Sequence, residues 1–483
     1  MVRVTRNLWS CTRIIWVILI TYIRSLWHPN PIEYQVKSLK RLGPSFVKLG
    51  QTLSVRPDIV GVKYAKALSK LQDKLPAFSG DVAKNIVQSE LGMPIEEVFA
   101  EFSSQAIAAA SIAQVHKAVT HQGDVVAVKV MRPYIRKQFE RDIELLRGCA
   151  SFLSYFPRYR RLKPREVVET FADSAKKELD MHMEAASASQ LKENTIHDEG
   201  FYVPKVFWKW TTSSVLTMEW VDGIPIGQID ALKEAGHDLE AISRVLAISF
   251  FNQAYRDGFF HADIHPGNLF VNAQSQIVPV DFGIMGSFDR ATRIYVAEIL
   301  RGFLNADYMH VAKMHFDAGY IPKNQSIHDF ALACRAIGEP IRGLSVGEIS
   351  VGKLLTLLFK ITESFQMETQ PQLLLFQKNL VLVEGVGGAL YPQVNMWKLA
   401  EPWIEEWAKH NITPKAKAKH MIDEFKEFAR FMPERMHQIG AMLDKYEVLS
   451  NAQLTQKKAT KSVLWWITAI LALQTVTVMS VLL

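Results

Sequence analysis

The chain reads as an α+β protein built in two lobes, with a helical extension before them and an apolar helix after them. Three observations predict this. Two short polar loops each adjoin an apolar run of β type. One is His261-Ala262-Asp263-Ile264-His265-Pro266-Gly267-Asn268, before Leu269-Phe270-Val271. The other is Val280-Asp281-Phe282-Gly283, after Ile277-Val278-Pro279. A further β run, Val126-Ala127-Val128-Lys129, carries one lysine among apolar neighbours. Residues 462–483 contain no charge. At 483 residues the chain holds two lobes and has room for extensions.

The loops carry the chemistry. Asp263 precedes Asn268 by five positions, and Asn268 precedes Asp281 by thirteen. This order and spacing resemble the catalytic and metal loops of protein kinases, with His-Ala-Asp in place of His-Arg-Asp. Phosphoryl transfer needs one carboxylate facing the attacking hydroxyl, here Asp263. It also needs an amide oxygen and a second carboxylate to hold Mg2+ against nucleotide phosphates, here Asn268 and Asp281. Asp-Phe-Gly alone is a weak signal; both motifs at this spacing are a strong one. The expected fold is two-lobed and protein-kinase-like, and the expected ligands are ATP (or ADP) and Mg2+.

Lys129 fits the strand lysine that holds the α- and β-phosphates. Taken alone, the run is an ordinary strand with a snorkelling lysine. Val215 to Gly223 is a β run ending in a turn signal. It resembles a kinase hinge, with Met218 at the back of the pocket and the Glu219 carbonyl and Val221 amide facing adenine. No G-x-G-x-x-G precedes Lys129. Ala108, Ala109, Ala110 and Ser111 stand there instead. They keep the small size of glycine but give up its positive-φ freedom. Such a loop is expected to hold nucleotide differently and to disfavour transfer to a large acceptor.

With its remaining motifs the chain resembles the UbiB family of atypical, protein-kinase-like proteins, over residues 34 to 390. The motifs are Lys48-Leu49-Gly50-Gln51, Arg56-Pro57-Asp58, Leu71-Gln72-Asp73, the Ala108–Ser111 loop, Glu178-Leu179-Asp180, Glu184-Ala185 and the complete loop from His261 to Asn268. Gly61-Val62 departs from the pattern at an expected turn. The resemblance implies a role in ubiquinone biosynthesis. It also implies that the helix of Lys48 packs over the active site, where its lysine meets Glu178 and Asp180. Lys48, Gln51 and Ser54 form a slanting polar stripe, and Gly50 allows close packing. Without the resemblance Lys48 reads as a solvated charge.

Glu184 is the candidate partner of Lys129. The two stand 55 residues apart, so inserted helices are expected at Gln138 to Leu146 and Pro164 to Lys177. Asp180 and Glu184 are four apart, which places both on one helix side; a solvated acidic face is the plainer alternative. His261 and His265 flank Asp263. A zinc site is disfavoured because Pro266 and Gly267 break the helix that an H-x-x-x-H pair needs. A backbone-organising role for His261 is expected.

Three scattered cysteines show no metal spacing and no disulfide framework. A net charge of +7 suits anionic lipid or nucleic acid, and no nucleic-acid module is found. Residues 462–483 reach roughly 33 Å as a helix, enough to span a bilayer. Trp465 and Trp466 suit the interface, and Lys457, Lys458 and Lys461 keep the body on the cytoplasmic side. A buried helix is the alternative. Ile14 to Ile23 is too short to span; it reads as an interfacial helix or one docked on the kinase lobe.

The expected organisation is 1–33 membrane-interface segment, 34–80 helical extension, 81–225 first lobe, 226–396 second lobe, 397–461 amphipathic helices and 462–483 transmembrane helix. The expected place is the inner (cytoplasmic) membrane. The expected partners are anionic lipid, a prenylated quinone precursor and other quinone-biosynthesis enzymes; a homodimer is also open. Two function classes remain: a Mg2+-dependent ATPase or phosphotransferase, and a nucleotide-gated scaffold or lipid-handling module.

Overall fold

The computed structural model describes residues 27–54, 56–68, 71, 75–156, 163–342, 364–367, 370–394 and 396–411, with isolated positions at 21, 24 and 361. Met1–Ala408 form one compact unit. The second unit, Lys409–Leu483, lies almost wholly outside the described residues, and so does the expected apolar tail. Most of the segments 1–33 and 397–461 also lies outside them.

The extension comprises α1 (Pro31–Leu42), α2 (Pro44–Ser54), α3 (Pro57–Val60) and α4 (Val62–Leu68). Prolines open the first three, where the missing N–H costs nothing. Val36, Ala67, Leu68 and Leu71 form their small core. A Cβ on Gly50 of α2 would meet the Leu71 Cδ1 methyl at 2.6 Å, so a larger residue there would have to displace that side chain. Gly61 turns between α3 and α4 at φ +79°, which suits glycine.

The first lobe begins with α5 (Gly80–Leu91) and α6 (Ile95–Val98). Its antiparallel sheet contains β1 (Phe99–Phe102), β2 (Ala108–Ala109), β3 (Ala113–Thr120), β4 (Val125–Met131) and β5 (Val215–Glu219). The order is β1-β3-β4-β5, with β2 also on β3. Val126, Val128 and Val130 share a core with Ala83 and Val87 of α5. Strand alternation therefore sends Lys129 to the opposite face. Between β4 and β5 run α7 (Ile135–Leu153), α8 (Pro164–Glu178) and α9 (Met181–Asn194). The first two are the helices expected from the long Lys129–Glu184 interval, and they meet through Phe139 and Phe171.

The second lobe starts with β6 (Gly223–Pro225), α10 (Ile229–Glu234) and α11 (Leu239–Phe251). Then come β7 (Phe259–His261), β8 (Leu269–Asn272), β9 (Ile277–Pro279) and β10 (Met285–Ser287). β6, assigned to the first lobe by the boundary at 225, pairs with β8 instead. The lobe is completed by α12 (Arg290–Leu304), α13 (Tyr308–Asp317), α14 (Ile327–Arg342), α15 (Pro371–Leu390) and α16 (Met396–Asn411). By length and composition α15 is apolar enough to cross a membrane. However, its Phe376, Val383, Val386 and Leu390 lie in the main core, and Phe376 stacks on Phe250. That packing makes α15 a central helix of this lobe.

Candidate active site

Lys129 and Glu184 meet because two elements aim them inward. Met181, Ala185, Ala188 and Leu191 bury one face of α9, and Glu184 shares it. Lys129 Nζ donates to Glu184 Oε1 at 2.7 Å and to Oε2 at 2.9 Å. Their side chains are only 12% and 6% exposed. Lys129 also stands 3.5 Å from Asp281 Oδ1. Burial works to strip its proton, but Asp281 and Glu184 outweigh that and raise its pKa. Burial pushes the Glu184 carboxyl up, against the pull of Lys129.

The β8–β9 hairpin brings the two loops together. Leu269 pairs with Pro279, and the Val280 amide donates to the Asn268 carbonyl at 3.0 Å. Asn268 Nδ2 donates to the Asp263 carbonyl at 3.3 Å, which turns its Oδ1 away. Asp281 Oδ1 accepts from the Gly283 amide at 3.0 Å. Phe282 is buried, and its amide donates to Glu184 Oε1 at 3.3 Å. Burial tends to raise the Asp281 pKa, but Lys129, the Gly283 amide, Lys48 and His261 hold it well below the carboxylate range. Its side chain remains 43% exposed on the open side. The Asn268 amide oxygen and the Asp281 carboxylate are the kind of oxygen donors that could hold a hard cation such as Mg2+.

His261 organises backbone, as expected. Its Nδ1 accepts from the Asp263 amide at 3.1 Å, and its Nε2 contacts the Asp281 carbonyl. Burial lowers its pKa, which suits a neutral ring donating from Nε2. His265 Nδ1 accepts from the Gly267 amide at 3.0 Å inside the turn. Among the described residues no cluster of three His, Cys, Asp or Glu is placed to hold a metal.

Asp263 has a partner that the motifs did not disclose. Lys378 Nζ, from α15, donates to its Oδ1 at 2.7 Å. Burial raises the Asp263 pKa, but the Lys378 charge and hydrogen bond bring it below the ordinary value. The next residue, Asn379, is fully buried and accepts from the Ile264 amide at 2.9 Å. One sequence signal was available: Gln377-Lys378-Asn379 is a polar island inside an apolar run.

The remaining candidates fall at the edges. Ala108 and Ala109 form β2, and the Ala110 amide closes a turn onto the Ala113 carbonyl at 2.8 Å. Arg132 pins that turn through the Ala110 carbonyl, with Nε at 3.0 Å and Nη2 at 2.8 Å. The Ser111 hydroxyl is buried and has no hydrogen-bond partner among the described residues. Glu219 ends β5 opposite Val126, and its amide donates to the Lys205 carbonyl at 2.8 Å. Its carboxylate is engaged elsewhere, by the Tyr202 hydroxyl at 2.6 Å and the Lys205 amide at 3.0 Å. Val221 follows in the half-buried link to β6.

Lys48 does reach the acidic motif, but through one member. Its Nζ lies 3.1 Å from Glu178 Oε2, and both side chains are largely buried. Asp180 instead caps α9, accepting from the His182 amide at 3.0 Å. The chain breaks at Leu179 between α8 and α9, so Glu178 and Asp180 belong to different helices. Asp180 stands at the N-cap of the helix that carries Glu184, in extended backbone, and its side chain turns back onto the first turn instead of lying beside Glu184. Asp180 is 42% exposed, whereas Glu184 is buried. Gln51 Nε2 donates to the Leu71 carbonyl at 3.5 Å, within the extension.

A small antiparallel sheet with a carboxylate-paired lysine, joined to a helical lobe bearing this Asp, Asn and Asp, defines an atypical protein-kinase-like protein. Residues 70–315 match the ABC1 atypical kinase-like domain, and residues 334–395 match the UbiB helical domain. The chain is 40% identical over 402 residues to the probable protein kinase UbiB of Marinobacter nauticus, covering 82% of this chain and 74% of that one. It is 39% identical over 420 residues to the probable protein kinase UbiB of Tolumonas auensis, covering 86% and 76%. Among solved structures, the Rv3197–erythromycin complex of Mycobacterium tuberculosis is similar at a TM-score of 0.52 and 25% identity, over 73% of this chain and 90% of that one. The chain belongs to the UbiB family of atypical kinases, which its name links to ubiquinone biosynthesis.

Proposed function

We propose that this protein binds Mg·ATP and turns it over, as an ATPase or phosphotransferase, at a membrane surface in support of ubiquinone biosynthesis. The observation that carries the reading is Lys129, held between Glu184 and Asp281 beside the Asp263 loop. Lys129 meets the α- and β-phosphates, and Glu184 keeps its ammonium in place. Bound Mg2+ neutralises phosphate charge, with Asn268 and Asp281 as its protein ligands. Asp263 orients the attacking hydroxyl and takes its proton. The Glu219 carbonyl and Val221 amide read adenine, and the Ala108–Ser111 turn covers the phosphates.

The membrane part rests on the uncharged run at residues 462–483 and the lysines before it, with the body on the cytoplasmic side. Anionic lipid, a prenylated quinone precursor and other biosynthetic enzymes are the partners this reading calls for. A nucleotide-gated scaffold is favoured by one observation: Lys48 of the extension is seated on Glu178, which restricts access by a protein acceptor.

The test compares two variants by nucleotide binding and phosphate release. Asp281→Asn loses Mg2+-dependent binding. Asp263→Asn keeps binding and turns over about 10²-fold more slowly, as for loss of a general base. Unchanged ATPase activity in both refutes the assignment.

A further inference from the structure

The helix α15 lies beyond the residues that match the kinase-like domain and within those that match the helical domain. Two adjacent side chains on it nevertheless meet the catalytic loop. Lys378 donates to the Asp263 carboxylate at 2.7 Å. Asn379 accepts from the next peptide, at Ile264, at 2.9 Å. Asn379 Nδ2 is committed to the Leu375 carbonyl at 2.8 Å, so its oxygen must face the loop. Consecutive helix residues project about 100° apart, so the pair grips the loop from two directions. The anchor is firm, because Leu374, Phe376 and Val383 bury α15 on either side of it. A third contact reaches the strand after the metal loop: Gln372 Oε1 accepts from the Ser287 amide at 3.4 Å.

We propose that α15 completes the active site, with Lys378 as a positioning residue that fixes the Asp263 carboxylate and Asn379 holding the loop beneath it. This rests on the reading of Asp263 as the group that faces the nucleophile. With Oδ1 committed to Lys378, rotation of the carboxylate is stopped. Oδ2 lies 3.7 Å from His265 Nε2, too far for a hydrogen bond, and remains the oxygen presented to a hydroxyl. Glu184 holds Lys129 in the same manner at the other end of the cleft.

The test uses the full-length protein. The variants are Lys378→Met, Lys378→Arg, Asp263→Asn and the Lys378→Met/Asp263→Asn double. Steady-state Mg·ATP turnover and melting without nucleotide are both measured. Lys378→Met lowers kcat by about 10- to 100-fold and leaves KM within about twofold, because the interaction acts on the chemical step. Lys378→Arg recovers most of kcat, since a guanidinium keeps a charge-assisted bond to the carboxylate. In melting, the double variant loses less than the sum of the singles. Wild-type kcat in Lys378→Met, or additive melting shifts, overturns the proposal. An Asp263→Asn variant with wild-type turnover overturns the reading of Asp263 itself. The melting cycle judges the Lys378–Asp263 contact independently of that result.

Discussion

Glu184→Gln tests the centre of the site, because it removes one charge and keeps the shape. Lys129 Nζ uses both carboxylate oxygens, at 2.7 and 2.9 Å. Oε1 also accepts from the Phe282 amide at 3.3 Å. Glutamine can serve Oε1 with its carbonyl, but its NH2 then faces the ammonium where Oε2 stood. Breaking a buried pair from one side costs about 3–5 kcal/mol. Lys129 keeps Asp281 at 3.5 Å as a second partner. That contact offsets part of the cost, leaving a loss of about 2–3 kcal/mol. For a compact unit of this size, Met1–Ala408, the melting temperature should fall by about 2–4 °C. The second effect is on the ligand. Lys129 then draws Asp281 toward itself, so under the proposed reading a cation held by Asp281 would lose a carboxylate. At a ligand concentration of 100 times Kd the wild-type protein gains about 2.7 kcal/mol from binding. A tenfold weaker variant gains only about 1.4 kcal/mol. Calorimetric melting with and without Mg·ATP reads both effects. A variant that melts within about 1 °C of wild type and keeps the full ligand shift refutes the ion-pair argument.

Lys48→Ala leaves Glu178 without the cation now at 3.1 Å and removes a charge that steadies Asp281. It is expected to shrink the Mg·ATP-induced melting shift and to disable quinone production without unfolding the chain. A normal shift, normal ATPase and full rescue of a quinone-deficient strain would show Lys48 to be a surface charge. A pH effect follows from His315, whose Nδ1 meets the Val311 carbonyl at 2.8 Å. Burial drives its pKa from 6.5 to about 4. The unfolded chain therefore binds a proton in that window and the folded chain does not, so stability falls on acidification through it. The slope from this one group approaches about 1.4 kcal/mol per pH unit. His315→Leu should flatten the fall in melting temperature between pH 7 and 5; an unchanged slope contradicts this.

What could be read in the sequence was local or periodic. The alternation Val126, Val128, Val130 against Lys129 gave both the strand and the face of its lysine, because a strand has period two. The Asp263, Asn268 and Asp281 spacing carried over because a single hairpin between Asn268 and Asp281 sets their separation. The failures lie where a helix ends. The run Glu178-Leu179-Asp180 suggests one acidic unit, but a break at Leu179 separates the two carboxylates and turns Asp180 into a cap. Lys378 is silent in the sequence for another reason. It stands 115 residues from Asp263, and no local pattern relates a lysine in an apolar helix to a loop so distant. Its neighbour Asn379 has the same separation from Ile264.

The cleft can be understood as a pairing of charges. Among the described residues, four carboxylates are drawn together there: Glu178, Glu184, Asp263 and Asp281. Three lysines face them: Lys48 on Glu178, Lys129 on Glu184 and Lys378 on Asp263. Asp281 has no lysine of its own among these pairs and shares Lys129 at the longer distance of 3.5 Å. It is also the most exposed of the four, at 43% against 13%, 6% and 26%. If a divalent cation enters this site, Asp281 is the carboxylate of the four with the longest ion pair and the most open side. Two of the three lysines, Lys48 and Lys378, come from outside the residues that match the kinase-like domain. The extensions thus act on this cleft in two ways: they pair Glu178 and Asp263, and the Lys48 charge also steadies the Asp281 carboxylate directly.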